Sequence, residues 1–440
     1  MTGRPVLPVP VVGADGGPLL APLRAALSGA GPAVAPHAAG REPSAQAVAP
    51  LREDEDGAED PVAAVVSTTG STGRAKHVLL DASALLAGAA ATHDVLGGAG
   101  SWLLAVPAHT VAGVQVVVRS LVAGTRPAVL DLAGGFDPAA FAREASALAG
   151  RARGRRYTSL VPAQLDLLLE AGTAQPEVLE ALRGFDAVLV GGAALPPAVR
   201  ARATAAGLRV VGTYGMTETC GGCVYDGVPL PGVGVALEPW PPGAGAAGAA
   251  GADASTGRVV VTGPVVARGY RRPAAPSSGA PSGPSDEGFE VVAGVRRFRT
   301  ADRGVLVEGL LQLLGRTDDV VTSGGVNVAL DAVDRVLREA GARDCLVVAV
   351  PSQRWGSVVA ALVVGPDAGP TAARALQDAV RDRLGAAAVP RLLRHVDRLP
   401  TTGVGKPDRV AAVALLSPGD AAGAHLGDHG GTDHPTEETT

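Results

Sequence analysis

Isoleucine is absent from the sequence, aromatic residues make up 3% of it, and only two of its 38 basic residues are lysines. The hydrophobic complement is therefore Ala, Val and Leu, a pattern expected of G+C-rich coding, so composition alone excludes little about fold. Three cysteines cannot build a disulfide framework. No apolar run reaches the roughly 20 residues needed to span a bilayer, and the start "MTGRPVLPVP" lacks the charged and apolar segments of a signal peptide. Net charge is -5 and no Lys/Arg block is interleaved with aromatics, which argues against nucleic acid as a partner. A cytoplasmic protein without membrane insertion is expected.

The chain is long enough at 440 residues for two or three units. Residues 1–60 read as a short N-terminal region with one helical pattern near 19–28, closed by the acidic run "REDEDGAED" (52–60), expected to be a solvated linker. From 61 onward short β-branched runs alternate with Ala/Leu-rich helical patterns ("PVAAVVSTT", "DASALLAGAAATHDVL", "SWLLAVP", "TVAGVQVVVRSLVAG"). That alternation predicts an α/β fold with buried parallel strands. Between about 227 and 318 the texture changes to Gly/Pro turns and short strands, predicting a small β-rich subdomain. Residues 319–416 predict a small mobile α+β domain, after which 417–440 cannot bury a core and are expected to be disordered. The low-complexity stretches 239–257 and 271–288 read as loops.

Four stretches carry chemistry. "STTGSTGRAKH" (67–77) follows a predicted strand and offers clustered hydroxyls and backbone N–H groups ending in Lys76, the makings of a phosphate cradle. It is not a Walker loop, because Lys76 follows "GRA" and precedes His77. "GTYGMTETCGG" (212–222) ends a strand in Tyr214, two hydroxyl residues and Glu218, which suit a base and a hard cation. "FRTADRG" (298–304) and "LLGRTDDVVTSGGVNVAL" (313–330) hold Asp302 and Arg316, able to meet vicinal hydroxyls. "LPTTGVGKPDR" (399–409) holds the other lysine, Lys406. Cys220 and Cys223 form a CxxC with no second pair, so packing is favoured over zinc or redox work.

These stretches, in this order over about 61–415, resemble the adenylate-forming superfamily of acyl-CoA synthetases, luciferases and peptide-synthetase adenylation domains. The resemblance implies ATP, Mg2+ and CoA as cofactor and cosubstrates, with a small carboxylic acid as partner and a homodimer left open. It implies that Ser67, Thr68, Thr69, Gly70, Ser71, Thr72, Gly73 and Lys76 cradle the phosphates. Gly191, Gly192 and Ala193 would line the adenine and acyl site, Tyr214 would stack on adenine, and Asp302 and Arg316 would hold the ribose. Thr217 would contact the α-phosphate, Glu218 would bind Mg2+, and Lys406 would bridge the substrate carboxylate and the α-phosphate. Asp318 matches the hinge of the C-terminal domain, and Ser323, Gly324 and Gly325 the path of the CoA thiol. Retention of these two lysines amid arginine follows, since an ammonium and a guanidinium differ in reach and geometry.

Within that superfamily, "YTSLVPAQL", "VLVGGAALPP", "TYGMTETCGGCVYDGVPL" and "SGGVNVAL" most resemble the short o-succinylbenzoate:CoA ligases of menaquinone biosynthesis in their actinobacterial form. The likeness implies a catalytic contribution from His109, and an acyl pocket at Ser159, Gln164 and Gly215 in which Ser159, Gln164 or His109 would meet the carboxylate that is not activated. Departures are Ala75 and His77 in the phosphate loop, "TADRG" in the ribose motif, and "NVALDAVD", which lacks the usual Glu of the C-terminal domain's first helix. Two rivals stand beside this reading: an acyl-CoA synthetase for another acid, or one acylating a carrier protein, and a degenerate nucleotide-binding module.

Overall fold

The computed structural model describes residues 3–57, 59–68, 76–239, 256–271, 288–317, 319–323, 326–352, 356–365, 369–402 and 407–417. Thr69, Gly70, Ser71, Thr72, Gly73, Asp318, Gly324, Gly325 and Lys406, most of the two low-complexity stretches and the tail from 418 lie outside the described residues.

A seven-stranded sheet organises the molecule. Its order is Val228–Pro229, Gly221–Tyr225, Val210–Met216, Ala187–Val190, Arg155–Leu160, Gly100–Leu104 and Ala128–Val129, parallel from Val210–Met216 through Ala128–Val129 and antiparallel at the other end. Both faces are buried, because neighbours along one strand enter different cores: Trp102 and Leu104 join one cluster, Leu103 and Ala105 the other. Such two-sided burial is why these strands read as continuous apolar runs rather than alternating ones. Helices Ala82–Val95 and Val111–Val122 supply one face, Pro138–Arg151 and Pro162–Ala174 the other.

Residues 1–60 are not a detached region and linker. Val6–Val11, Ala33–Ala38 and Val62–Thr68 lie side by side in parallel, followed by Lys76–Asp81 and Gly269–Tyr270, in one five-stranded sheet. Pro8 and Pro10 masked the first strand in sequence, yet it is an edge strand, where a missing N–H costs no ladder bond. The acidic run is only partly solvated: Glu53, Asp54 and Glu59 are exposed, but Glu55 and Asp56 are not. Asp56 accepts from Arg4 Nε at 2.7 Å, and Glu55 is 4% exposed, accepts from Arg52 N and faces Arg271 at 3.7 Å. These carboxylates are counter-charges for arginines far away in the chain, which a local reading of "REDEDGAED" cannot reveal.

The β-rich subdomain is an antiparallel sheet of Gly234–Glu238, Thr256–Thr262, Val295–Val307 and Phe289–Val292, with Leu310–Arg316 also paired to Val295–Val307. The C-terminal unit has its own sheet, in which Asp344–Ser352 and Gly356–Val364 form the central antiparallel pair. Alternate residues of Asp344–Ser352 face two cores, one under helices Leu330–Glu339 and Pro370–Leu384, the other under Arg409–Leu416. No helix among the described residues is long and apolar enough to cross a membrane.

Candidate active site

Four neighbouring parallel strands of the large sheet end on one side, and each delivers a predicted residue there. Gly100–Leu104 runs into the turn that carries His109; Arg155–Leu160 ends in Ser159 and leads to Gln164; Ala187–Val190 runs into Gly191, Gly192 and Ala193; Val210–Met216 carries Tyr214 and Gly215 and leads to Thr217 and Glu218. The register pairs Leu104 with Ser159, Leu160 with Val190 and Val190 with Gly212, which aligns these exits. The carboxyl edge of a parallel sheet is the usual place for a ligand in an α/β protein.

Close approach dictates two glycines. A Cβ on Gly215 would lie 2.0 Å from Gly221 O, and one on Gly191 would lie 2.2 Å from Thr213 Oγ1. Any side chain at either position would push apart strands that must stay paired. Beyond Gly215 the chain makes a single 3-10 turn, Thr217–Thr219, fixed by Thr219, whose hydroxyl accepts from Met216 N and donates to Gly221 O. Cys220 follows with φ of 51°.

Asp302 and Arg316 come together as register partners on adjacent strands, 14 residues apart in sequence. Asp302 Oδ1 accepts from Arg316 Nη1 at 3.3 Å, and Oδ2 accepts from the Tyr214 hydroxyl at 2.7 Å. Burial, helped by the Asp302 charge, pushes the Tyr214 phenol far up, so it donates throughout the physiological range. The predicted ribose pair and the predicted adenine platform thus form one hydrogen-bonded unit.

The stretch expected to cradle phosphate, 67–77, is described at its two ends. Val62–Thr68 pairs with Lys76–Asp81 as an antiparallel hairpin, Thr68 opposite Lys76 and Ser67 opposite His77. Ser67 Oγ lies 2.8 Å from His77 Nδ1. Burial, then the Arg271 charge, lowers the His77 pKa, so His77 meets Ser67 as a neutral ring. The strand Lys76–Asp81, ahead of the expected helix that spans Ala82–Val95, was not legible in the sequence. Tyr270 was missed as well: its hydroxyl donates to Glu218 Oε1 at 2.7 Å, and Lys76 Nζ stands 4.6 Å from its ring centroid.

One predicted acyl-pocket group, Gln164, is committed elsewhere. Gln164 is buried; its Oε1 accepts from Val161 N and its Nε2 donates to Ala105 O, so it ties two strand exits together rather than presenting a free amide. His109 is half-buried, its Nδ1 sealed from solvent and unpartnered. Burial, Arg41 and His37 all lower its pKa. Ser159 and Ser323 are buried in their strands.

Cys220 and Cys223 are buried free thiols, the latter pushed up to about 12 by burial, in keeping with packing. Among the described residues no group of three His, Cys, Asp or Glu could hold a metal ion. The donor chemistry still suits Mg2+, which binds through one or two carboxylates plus substrate phosphates rather than in an all-protein cage.

Two polar side chains on helix Val111–Val122, one turn apart, went unnoticed in sequence. Gln115 is 1% exposed; its Nε2 donates to Cys220 O at 2.6 Å, while its Oε1 has no partner. Arg119 is 4% exposed, and among the described residues no carboxylate lies within ion-pair reach of it. Its Nη2 donates to Tyr225 Oη at 3.3 Å, its guanidinium sits 5.1 Å from the Trp102 ring centroid, and its Nε is buried and unpartnered. Burial lowers its pKa. The sequence signal was an arginine at i+4 from a glutamine on an otherwise apolar helix, a pattern more often found at a solvated face.

Comparison with known proteins follows the same lines. The AMP-binding enzyme family matches residues 22–271, and the AMP-binding enzyme C-terminal domain matches 335–406. A probable 2-succinylbenzoate–CoA ligase of Mycobacterium tuberculosis is 41% identical over 81% of this chain and 85% of its own length. A 2-succinylbenzoate–CoA ligase of Enterococcus faecalis is 28% identical over 79% of this chain and 68% of its own. Among solved structures, o-succinylbenzoate CoA synthetase from Bacillus subtilis with its acyl-adenylate intermediate superposes with a TM-score of 0.61 at 23% identity, covering 83% of this chain and 71% of that one, a likeness of fold. An amide bond synthetase from Marinactinospora thermotolerans gives a TM-score of 0.62 at 26% identity over 88% and 76%.

Proposed function

Because the chain belongs to the family of AMP-binding enzymes, we propose that it is the ligase that joins 2-succinylbenzoate to CoA at the expense of ATP, releasing AMP and pyrophosphate, a step of menaquinone biosynthesis. The observation that carries the choice of acid is the 41% identity, over 81% of this chain, to a probable 2-succinylbenzoate–CoA ligase. Arg119, a buried guanidinium with no carboxylate within ion-pair reach among the described residues, is the candidate cation for the far end of the acid. A diacid activated at one end brings a second carboxylate that needs a buried cation. Arg119 lies one helical turn beyond Gln115, which touches the Cys220 carbonyl three residues after Thr217.

The chemistry divides into two displacements. One carboxylate oxygen of the acid bonds to the α-phosphorus of ATP as the bond to pyrophosphate breaks, which leaves an acyl-adenylate. Lys76 and the hydroxyls of the loop it closes would hold the departing phosphates, Thr217 the α-phosphate, and Lys406 the developing charge between acid and phosphate. Tyr214, Asp302 and Arg316 would fix the nucleoside. Mg2+ held through Glu218 would supply neutralisation of the phosphate oxygens. The CoA thiol sulfur then bonds to the acyl carbon and AMP leaves with the electron pair. His109, at the start of helix Val111–Val122, would border the acyl site during this step. Turning of the C-terminal unit about Asp318 would withdraw Lys406 and bring the segment from Ser323 to Gly325 toward the thiol path.

The test is CoA-ester formation from 2-succinylbenzoate, with 4-oxo-4-phenylbutanoate, identical but for the ring carboxylate, and a medium-chain fatty acid as controls. Wild-type protein should prefer the diacid. Arg119→Leu should lower kcat/KM for the diacid on the order of a hundredfold, the cost of stranding a buried carboxylate, and leave the mono-acid value nearly unchanged. Equal losses for both acids, or no preference in wild type, would return the substrate to an open screen.

A further inference from the structure

We infer that Tyr270 is a positioning residue that sets Glu218 and Lys76 for the metal-bound nucleotide; the inference rests on the proposed reading of those two residues. Its side chain meets both at once. The phenol donates to Glu218 Oε1 at 2.7 Å, while the ring face lies beneath the Lys76 ammonium, 4.6 Å from Nζ to centroid. A hydrogen bond to a charged acceptor is among the stronger kinds, and an ammonium over an aromatic face is held by the ring quadrupole.

The ring is well placed to act as a fixed spacer. Gly269–Tyr270 pairs with Lys76–Asp81, Tyr270 opposite Val78, so Tyr270 and Lys76 are diagonal neighbours on adjacent strands. Phe289 meets the Tyr270 ring edge-on, centroids 5.1 Å apart at 81°, and Phe298 packs behind Phe289 at 4.5 Å. The backbone of the Glu218 turn is held to the same segment, where Ala267 N donates to Glu218 O at 2.9 Å. One aromatic side chain thereby joins three elements: the strand that closes the phosphate loop, the turn after Val210–Met216, and strand Phe289–Val292 of the β-rich sheet. Holding Glu218 Oε1 leaves Oε2 for a cation. Keeping the ammonium on the ring face stops the lysine from settling onto that carboxylate before phosphate arrives.

Two substitutions separate these roles. Tyr270→Phe removes the hydroxyl and keeps the ring; Tyr270→Leu removes both. ATP binding is measured by calorimetry across a Mg2+ titration in the full chain without any acid, so the outcome does not depend on which acid is the substrate. Pyrophosphate exchange with 2-succinylbenzoate is measured in parallel. Tyr270→Phe should raise the Mg2+ concentration needed for half-maximal ATP binding about tenfold, with little change at saturating Mg2+. Tyr270→Leu should in addition weaken ATP binding at saturating Mg2+ several-fold. An unchanged Mg2+ requirement in Tyr270→Phe, or variants that differ from wild type only in thermal midpoint, would overturn the inference. Absence of exchange in wild type with ATP binding intact would count against the proposed acid and leave the Mg2+ comparison decisive for Tyr270.

Discussion

Arg119 and its surroundings show how much one residue can ask of its neighbours. Around it lie Trp102, Tyr225, Thr92 and His93, polar atoms satisfying one another in a core of Ala, Val and Leu: the Tyr225 hydroxyl is 2.9 Å from Thr92 Oγ1, and Trp102 Nε1 donates to His93 Nε2 at 3.4 Å. His93 must stay neutral there, and its pKa is lowered by burial first and by the Arg119 charge second, against a smaller opposing effect of Asp94. His77 is lowered likewise. A depressed folded-state pKa contributes stability that is present above the ordinary imidazole value of 6.5 and lost as pH falls through that value toward the folded one. The thermal midpoint should therefore drop as pH is lowered from 7 to 5. His93→Gln should flatten that slope; an unaltered slope would mean that other groups dominate the titration.

Among elements, the base of the segment that holds Lys406 is tightly built. Thr401 and Pro407 form an antiparallel bridge, Asp408 N donates to Pro400 O at 2.9 Å, and the Asp408 carboxylate caps helix Arg409–Leu416 by accepting from Ala411 N at 3.0 Å. Arg409 then reaches Asp319 with two parallel bonds of 2.6 and 2.7 Å. A fork-to-fork pair adds geometric definition beyond its charge. Asp319 immediately follows Asp318, the proposed hinge, so the pair links the residue after that hinge to the helix that follows the lysine segment. Arg409→Ala should slow adenylate formation, the step proposed to use Lys406, more than transfer to CoA from preformed adenylate. Rapid-quench assays of the two half-reactions test this, and equal slowing of both would disprove a specific coupling.

At the scale of the whole molecule, one buried carboxylate ties three layers. Asp81, fully buried at the end of the hairpin strand, accepts from Arg268 Nε at 2.6 Å and from Arg296 Nη1, and Arg296 also faces Asp60 at 3.3 Å. Burial pushes the Asp81 carboxyl up despite both guanidiniums. The cluster therefore gives little net stability by its formation, although losing one member strands the rest. Asp81→Ala should destabilise the protein by about 3 kcal/mol, read from a urea midpoint. A shift near zero would mean that water compensates the two arginines.

Sequence alone determined the order of chemistry: hydroxyl-rich loop with lysine, Tyr-Gly-Met-Thr-Glu strand end, Asp and Arg of the β-rich part, and terminal lysine. Each is a local pattern, and the α/β alternation that places strand exits between them depends on short-range periodicity. Long-range partnership was not legible. Asp302 and Arg316 could be named, but not that Tyr214 donates to the same carboxylate; Gln164 could be named, but not that its amide is spent on Val161 and Ala105. Residues 52–60 looked like a solvated linker because charge carries no record of where its counter-charge sits. For the same reason Arg119 and Tyr270 passed unnoticed: a guanidinium on a helix and a tyrosine after glycine are unremarkable until folding buries the one without a carboxylate and sets the other between Glu218 and Lys76. Local covalent pattern fixed which chemistry is available, and burial, a property of the assembled sheets, decided which side chains bear on it.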